Sequence, residues 1–274
     1  MGYVQIKPLK KMPPFRKIAI GTWGRPTDPQ IYGTIEIELT KAHEWKDKIR
    51  KSNPDCPKIT VLHMVARAFG VVMEQYPDLN GYIRFGKIYL RKSVDAFFQV
   101  SVKHHSGRDD LSGIKITDIN KKSVIDIASE TMSKANKVRD KKNSALQKSA
   151  KMLSLFPGIV VKFLLWLTSF IGYTLNLKPL GMPEDSFGGL MLSNVGSLGL
   201  DTAYAPLVPY SRVPVVILLG KAKKRPVVVD DKVEIREIIT LNATIDHRFC
   251  DGALLAKMAK GLHMVFENPE KYFQ

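Results

Sequence analysis

The chain has 274 residues, 45% of them hydrophobic and 25% charged, a balance that excludes a disordered or fibrous protein and allows one large domain or two small ones. Lys and Arg number 42 against 26 Asp and Glu, so the net charge is +16 and the surface attracts polyanions. No helix-turn-helix, zinc-finger or RNA-recognition signature goes with that charge, which leaves coenzyme A, an acyl carrier protein or an anionic membrane as expected partners rather than nucleic acid. Cys56 and Cys250 provide neither a disulfide framework nor a metal cluster, and suit a reducing cytoplasm.

The opening MGYVQIKPLKKMPPF has no apolar core of signal-peptide length and lacks the residue that myristoylation requires at position six. It leads into PPFRKIAIGTWGR, where Arg16-Lys17 precede apolar Ile18 and Ile20. Ile31 to Leu39 alternates and predicts a half-buried strand, followed by a short helix over 40–50 with Thr40 as its cap. Ile59 to Gln75 carries apolar residues at helical spacing and breaks at Tyr76-Pro77, after which Pro77-Asp78-Leu79-Asn80-Gly81 forms a turn. Lys87–Leu90 and Ala96–Val102 are predicted strands. His104-His105 and Asp109-Asp110 match no metal-ligand spacing and read as a solvated turn, so no metal is expected.

A long helix is predicted over 125–152, with seven Lys or Arg and one Asp between Lys134 and Lys151. Leu153 to Leu177 is almost wholly apolar and is punctuated by Pro157-Gly158. Phe163 to Leu177 contains no charge, yet its 15 residues fall short of the roughly 20 that a bilayer crossing needs. This segment is expected either to be buried within the protein or to rest on a partner protein or one membrane leaflet, which would make the protein cytoplasmic and peripheral at the membrane.

Ser186 to Leu200, SFGGLMLSNVGSLGL, brings Phe187-Gly188-Gly189 ahead of Ser193-Asn194-Val195-Gly196. An apolar strand follows Leu207-Val208-Pro209-Tyr210-Ser211, and then a basic turn with Lys221, Lys223, Lys224 and Arg225. A hairpin through Asp230-Asp231 leads to LNATIDHRFCDGA, residues 241–253. Here a strand ends in Asp246-His247-Arg248, and Asp251-Gly252 opens a helix that Asp251 caps. A histidine held at a strand end suits general-base work, because imidazole titrates near neutrality.

H-x-x-x-D-G, with Asp before the His and Arg after it, resembles the active-site signature of the dihydrolipoamide acyltransferases of 2-oxo acid dehydrogenase complexes and of the chloramphenicol acetyltransferases. Arg16-Lys17-x-Ile, the turn at 77–81, Gly188-Gly189 with Ser193-Asn194-Val195-Gly196, and the terminal Glu267-Asn268-Pro269-Glu270 resemble further stretches of the former family. The glycine pair stands one residue closer to the Ser than in that pattern, and Tyr210-Ser211 replaces an Asn-Pro. The match is loose over 13–130 and close over 186–272.

The resemblance implies an α/β (α+β) chloramphenicol acetyltransferase-like fold, a mixed β-sheet flanked by helices, with the active site at a trimer interface. The chain is then a single free-standing catalytic domain over 1–274, with an apolar helical insertion at about 153–180 and no covalent lipoyl site. The implied chemistry is transfer of an acyl group from a coenzyme A or carrier-protein thioester directly to an acceptor. His247 is the base, Ser193 the oxyanion donor and Asp251 an orienting group that Arg16 pairs with, supported by Asn194 and Gly252. Across the three-fold contact His247 of one subunit faces Ser193 of its neighbour, in a homotrimer or larger assembly. Lys221, Lys223, Lys224 and Arg225 either meet phosphates of coenzyme A or a carrier, or form a solvated turn. A lipoyl-dependent core subunit and a non-catalytic assembly or membrane-docking module are the alternatives.

Overall fold

The computed structural model describes residues 28–103, 109–139, 155–177 and 184–274. Arg16, His104-His105, most of the basic run and Lys178-Pro179 lie outside them. Nine strands are numbered in chain order: β1 (Gln30–Glu38), β2 (Gly81–Arg84), β3 (Lys87–Leu90), β4 (Ala96–Lys103), β5 (Asp109–Ile116), β6 (Leu190–Asn194), β7 (Val215–Leu219), β8 (Lys223–Val229) and β9 (Lys232–Asp246). The helices are α1 (Thr40–Ser52), α2 (Val61–Gln75), α3 (Val124–Arg139), α4 (Gly158–Ser169), α5 (Gly252–Glu267) and α6 (Pro269–Tyr272).

Seven strands form one mixed sheet in the order β1-β9-β7-β6-β4-β5, with β8 on the first half of β9; β2 and β3 make a separate hairpin. Strands β4, β6 and β7 run parallel, and the remaining pairings are antiparallel. In β7, Val215-Val216-Ile217-Leu218-Leu219 is buried throughout, because both faces of the sheet centre are covered. Leu190, Leu192, Val215, Ile217 and Leu219 face the main core, built with α2 and α5. Met191, Val216 and Leu218 face a smaller cluster with Phe97, Phe187 and Val213.

Thr40 is the first residue of α1, with Leu39 at the cap position and no side-chain cap bond, so the expected Thr40 cap is corrected. Asp109 and Asp110 pair with Lys103 and Val102 in β5 rather than lying in a turn. The hairpin at Asp230-Asp231 forms as read: both residues have positive φ (46° and 60°), which matches the right-handed twist of the strands they join. Two stretches singled out in the sequence meet in space. A Cβ on Gly189 would lie 2.1 Å from Asn80 Oδ1, and one on Gly188, at φ +69°, would strike the Asp95 backbone.

Candidate active site

Strand β9 stays paired to β1 up to Gln30 opposite Asp246, and the ladder is extended by Asp246 N–H to Pro214 O (3.0 Å) and His247 N–H to Pro29 O (2.8 Å). The backbone carrying the imidazole is thus held on both sides. Asp246, only 5% exposed, accepts from the Arg248 backbone N–H at 3.0 Å and from Arg248 Nε and Nη2 at 2.9 and 2.6 Å. This two-pronged pair closes the turn and raises the Arg248 guanidinium further above its ordinary range. Both residues stiffen the loop and leave His247 exposed at its tip.

The ring orientation is fixed by the main chain. His247 Nδ1 lies 2.5 Å from the carbonyl oxygen of Cys250. A carbonyl only accepts, so Nδ1 carries the proton and Nε2 of the neutral ring presents its lone pair outward, as a general base requires. Asp251 then caps α5, its Oδ1 accepting from Leu254 N–H at 2.8 Å, as the sequence predicts. Gly252 is the first helical residue. Cys250 beside them is buried, and burial together with the Asp251 charge pushes its thiol up to about 11; it stays protonated and is no nucleophile.

Ser193 lies near the end of β6, half-buried, its hydroxyl without a hydrogen bond among the described residues. The next residue, Asn194, is exposed; its Oδ1 accepts from Ser197 N–H at 3.2 Å and fixes the turn that follows. Lys221 lies nearby, its N–H bonded to Leu200 O at 2.9 Å. Lys223 and Arg225 are not free cations: they pair with Asp201 and Glu36. Of the four expected phosphate-binding residues, Lys221 and Lys224 remain exposed and outside any ion pair among the described residues.

The registers separate the two expected catalytic groups. Ser193 stands opposite Leu218, and Leu218 opposite Asn242. His247 is five residues further along β9, past the other end of β6 and β7. Five residues span about 17 Å and two strand spacings about 10 Å, so within one chain the groups are about 20 Å apart, at opposite ends of the sheet. A cavity of about 180 Å³ opens at the histidine end, walled by Pro29, Gln30, Tyr82, Arg212, Arg248 and Phe249.

The family model of the 2-oxoacid dehydrogenases acyltransferase (catalytic domain) matches residues 24–152 and 178–274. The chain belongs to that family. Among its acyltransferase relatives is the dihydrolipoyllysine-residue acetyltransferase component of the pyruvate dehydrogenase complex of Rickettsia prowazekii, 23% identical over 249 residues, 89% of this chain and 49% of that protein. The lipoamide acyltransferase component of the branched-chain alpha-keto acid dehydrogenase complex of Bacillus subtilis is 20% identical over 244 residues, 88% of this chain and 47% of that one. The chain spans about half the length of the curated relatives it matches.

Solved acyltransferase structures share the fold. A probable dihydrolipoamide acetyltransferase from Listeria monocytogenes superposes with a TM-score of 0.66 at 18% identity, covering 98% of this chain and 97% of the other. The cubic core of the pyruvate dehydrogenase multienzyme complex gives 0.66 at 20% identity, covering 99% and 96%. The expected mixed sheet flanked by helices is therefore this family's fold. The family match passes over residues 153–177.

No residue pattern pointed to the Cys250 carbonyl as the group that sets the imidazole tautomer, since a backbone oxygen has no residue signature. None pointed to Arg91 either, whose nearly buried guanidinium bonds Asp185 Oδ2 (2.7 Å), Gly81 O (2.6 Å) and Arg212 O (3.1 Å) and knits these segments together near the histidine end.

Proposed function

We propose that this chain transfers an acyl group between a coenzyme A or carrier thioester and a thiol acceptor, with His247 as base and Ser193 as oxyanion donor supplied by two different subunits. The outward-facing Nε2 of His247 carries this reading. The acceptor S–H gives its proton to Nε2, and the thiolate adds to the thioester carbonyl. Ser193 Oγ–H donates to the resulting oxyanion, collapse releases the donor's thiolate, and that thiolate takes the proton back from His247. Asp251 and Gly252 hold the helix start behind the imidazole, with Arg16 as the proposed partner of Asp251. Asn194 shapes the serine loop, and Lys221 and Lys224 are the residues left to meet phosphates.

Because about 20 Å separates the two groups in one chain, a shared thioester requires a neighbour, and a homotrimer provides one through a three-fold contact. Residues 153–177 are an addition to this single catalytic unit. The relatives named above are a dihydrolipoyllysine-residue acetyltransferase and a lipoamide acyltransferase component, so dihydrolipoamide is the first acceptor to try. Transfer of labelled acyl groups from a panel of acyl-coenzyme A donors to dihydrolipoamide tests the proposal. His247→Ala should lower turnover by about 10²–10⁴, and Ser193→Ala by about 10²–10³. Undiminished turnover in the His247 variant overturns the assignment.

A further inference from the structure

Helix α4 is apolar all round. Its exposed residues Ile159, Lys162, Phe163 and Trp166 fall at helical spacing on one side, and Val161, Leu164, Leu165 and Thr168 on the other are half-buried. Ile159 is 80% exposed and Phe163 and Trp166 are each 56% exposed. The aromatic rings are ordered on that side: Phe163 stacks on Trp166 at 6.0 Å between centroids, and Trp166 on Phe170 at 5.5 Å. A soluble helix places its large apolar side chains against its own core; here Phe163 and Trp166 stay outside, while Ser169, at the end of the same side, is buried and receives Arg212 Nε at 3.1 Å.

The β2–β3 hairpin continues this surface. After α4 the chain makes a wide helical turn, Phe170–Thr174, that leans on β2: Arg84 Nε donates to Thr174 O at 2.6 Å, and Tyr82 meets Tyr173 edge to face at 5.7 Å. The hairpin exposes Phe85 (67%), Ile88 (47%) and Tyr89 (41%). Charge on both pieces has one sign. Residues 81–93 contain Arg84, Lys87 and Lys92 besides Arg91, whose nearly buried guanidinium pairs with Asp185; residues 155–177 contain Lys162, and neither stretch contains an Asp or Glu. Glu184 and Asp185 lie in the cleft between the two pieces, whereas Lys87, Lys92 and Lys162 are exposed beside the aromatics, a combination that matches an anionic bilayer surface.

We propose that α4 and the β2–β3 hairpin together form a docking face for an anionic lipid bilayer, sinking Phe163, Trp166 and Phe85 to the headgroup level. No helix among the described residues is long and apolar enough to cross a membrane, so the face rests on one leaflet. Tyr82 also walls the cavity at the histidine end, and Arg212 links that cavity to α4. Docking therefore sets the His247 end of the molecule toward the lipid. The inference rests on the exposed face and stands apart from the proposed chemistry.

The test is flotation of the full chain with vesicles of pure phosphatidylcholine and with equimolar phosphatidylcholine and phosphatidylglycerol, at low and high salt. The intact chain is expected to float with the anionic vesicles at low salt and to be released by high salt. The triple variant Ile159→Ser, Phe163→Ser, Trp166→Ser, and separately Lys87→Glu with Lys162→Glu, should each weaken binding at least about tenfold. Both variants should keep the sedimentation coefficient and the acyl transfer to soluble substrates of the parent. Failure of the parent to float overturns the proposal, as does binding indifferent to the substitutions. Loss of the oligomer in the triple variant also overturns it, by showing that a second copy of the chain covers the face. Acyl-transfer rates are read separately, so loss of docking and loss of the proposed chemistry are distinguishable.

Discussion

The separation of about 20 Å between Ser193 and His247 makes a numerical prediction. To act on one carbonyl, Nε2 and the serine hydroxyl must come within about 6 Å of each other, since each needs to lie about 3 Å from the reacting atoms. No rotation of the two side chains closes the remaining distance within one chain. Co-express the His247→Ala and Ser193→Ala variants with two different tags and purify through both, so that every trimer contains at least one of each. Around a three-fold ring each contact pairs the histidine of one subunit with the serine of the next. In any such mixed trimer one contact of the three joins an intact histidine to an intact serine, whichever variant is in excess. Turnover should therefore recover to about a third of the parent rate, from homotrimers of either variant that are each at least about a hundredfold slower. Recovery no greater than the mean of the two variants would refute a site shared between chains.

Three other outcomes follow from the structure. Asp251→Ala removes the acceptor of the Leu254 N–H bond and should cost about 1 kcal/mol by chemical denaturation, whereas Asp251→Asn should restore most of it; equal stability of both variants with the parent would count against the cap. Burial lowers the His63 imidazole to about 4, and His63 Nδ1 accepts from Thr60 N–H at 3.2 Å. The unfolded chain then binds a proton that the folded chain refuses, so this contribution is complete above pH 6.5 and is lost as pH falls toward 4, by at most about 3 kcal/mol; in His63→Gln the stability profile should flatten over that window. Cys250, with its thiol raised to about 11, should resist iodoacetamide at neutral pH while the partly exposed Cys56 reacts, and equal labelling of the two by mass spectrometry would contradict the burial argument.

Much of the site was legible where the chemistry is local. The strand, turn and capped helix from Leu241 through Asp251 are adjacent in sequence, and each residue type there has one dominant use: Asp251 caps, Gly252 opens the helix, His247 sits at a strand end. The hairpin at Asp230-Asp231 was equally readable, because positive φ at two consecutive positions favours such residues. Long-range pairing was not. Lys223 and Arg225 looked like a free basic turn until the fold brought Asp201 and Glu36 against them from 22 and 189 positions away. Asp109-Asp110 read as a turn because acids are poor strand formers, yet ladder pairing to β4 overrode that preference. In α4 the apolar run was visible but its placement was not: a run apolar on every side marks no inward face, and only packing says which side chains stay outside.

The placement of the two ends of the sheet also bears on regulation. Under the proposed chemistry a newly made subunit would carry both reactive groups and use neither, since its own serine and histidine stand at opposite ends of the sheet. Competence would then arrive only when copies associate, so the reaction would switch on with the local abundance of the protein and fade on dilution, with no effector involved. Anything that gathers subunits, or holds them apart, would set the rate as surely as a ligand does.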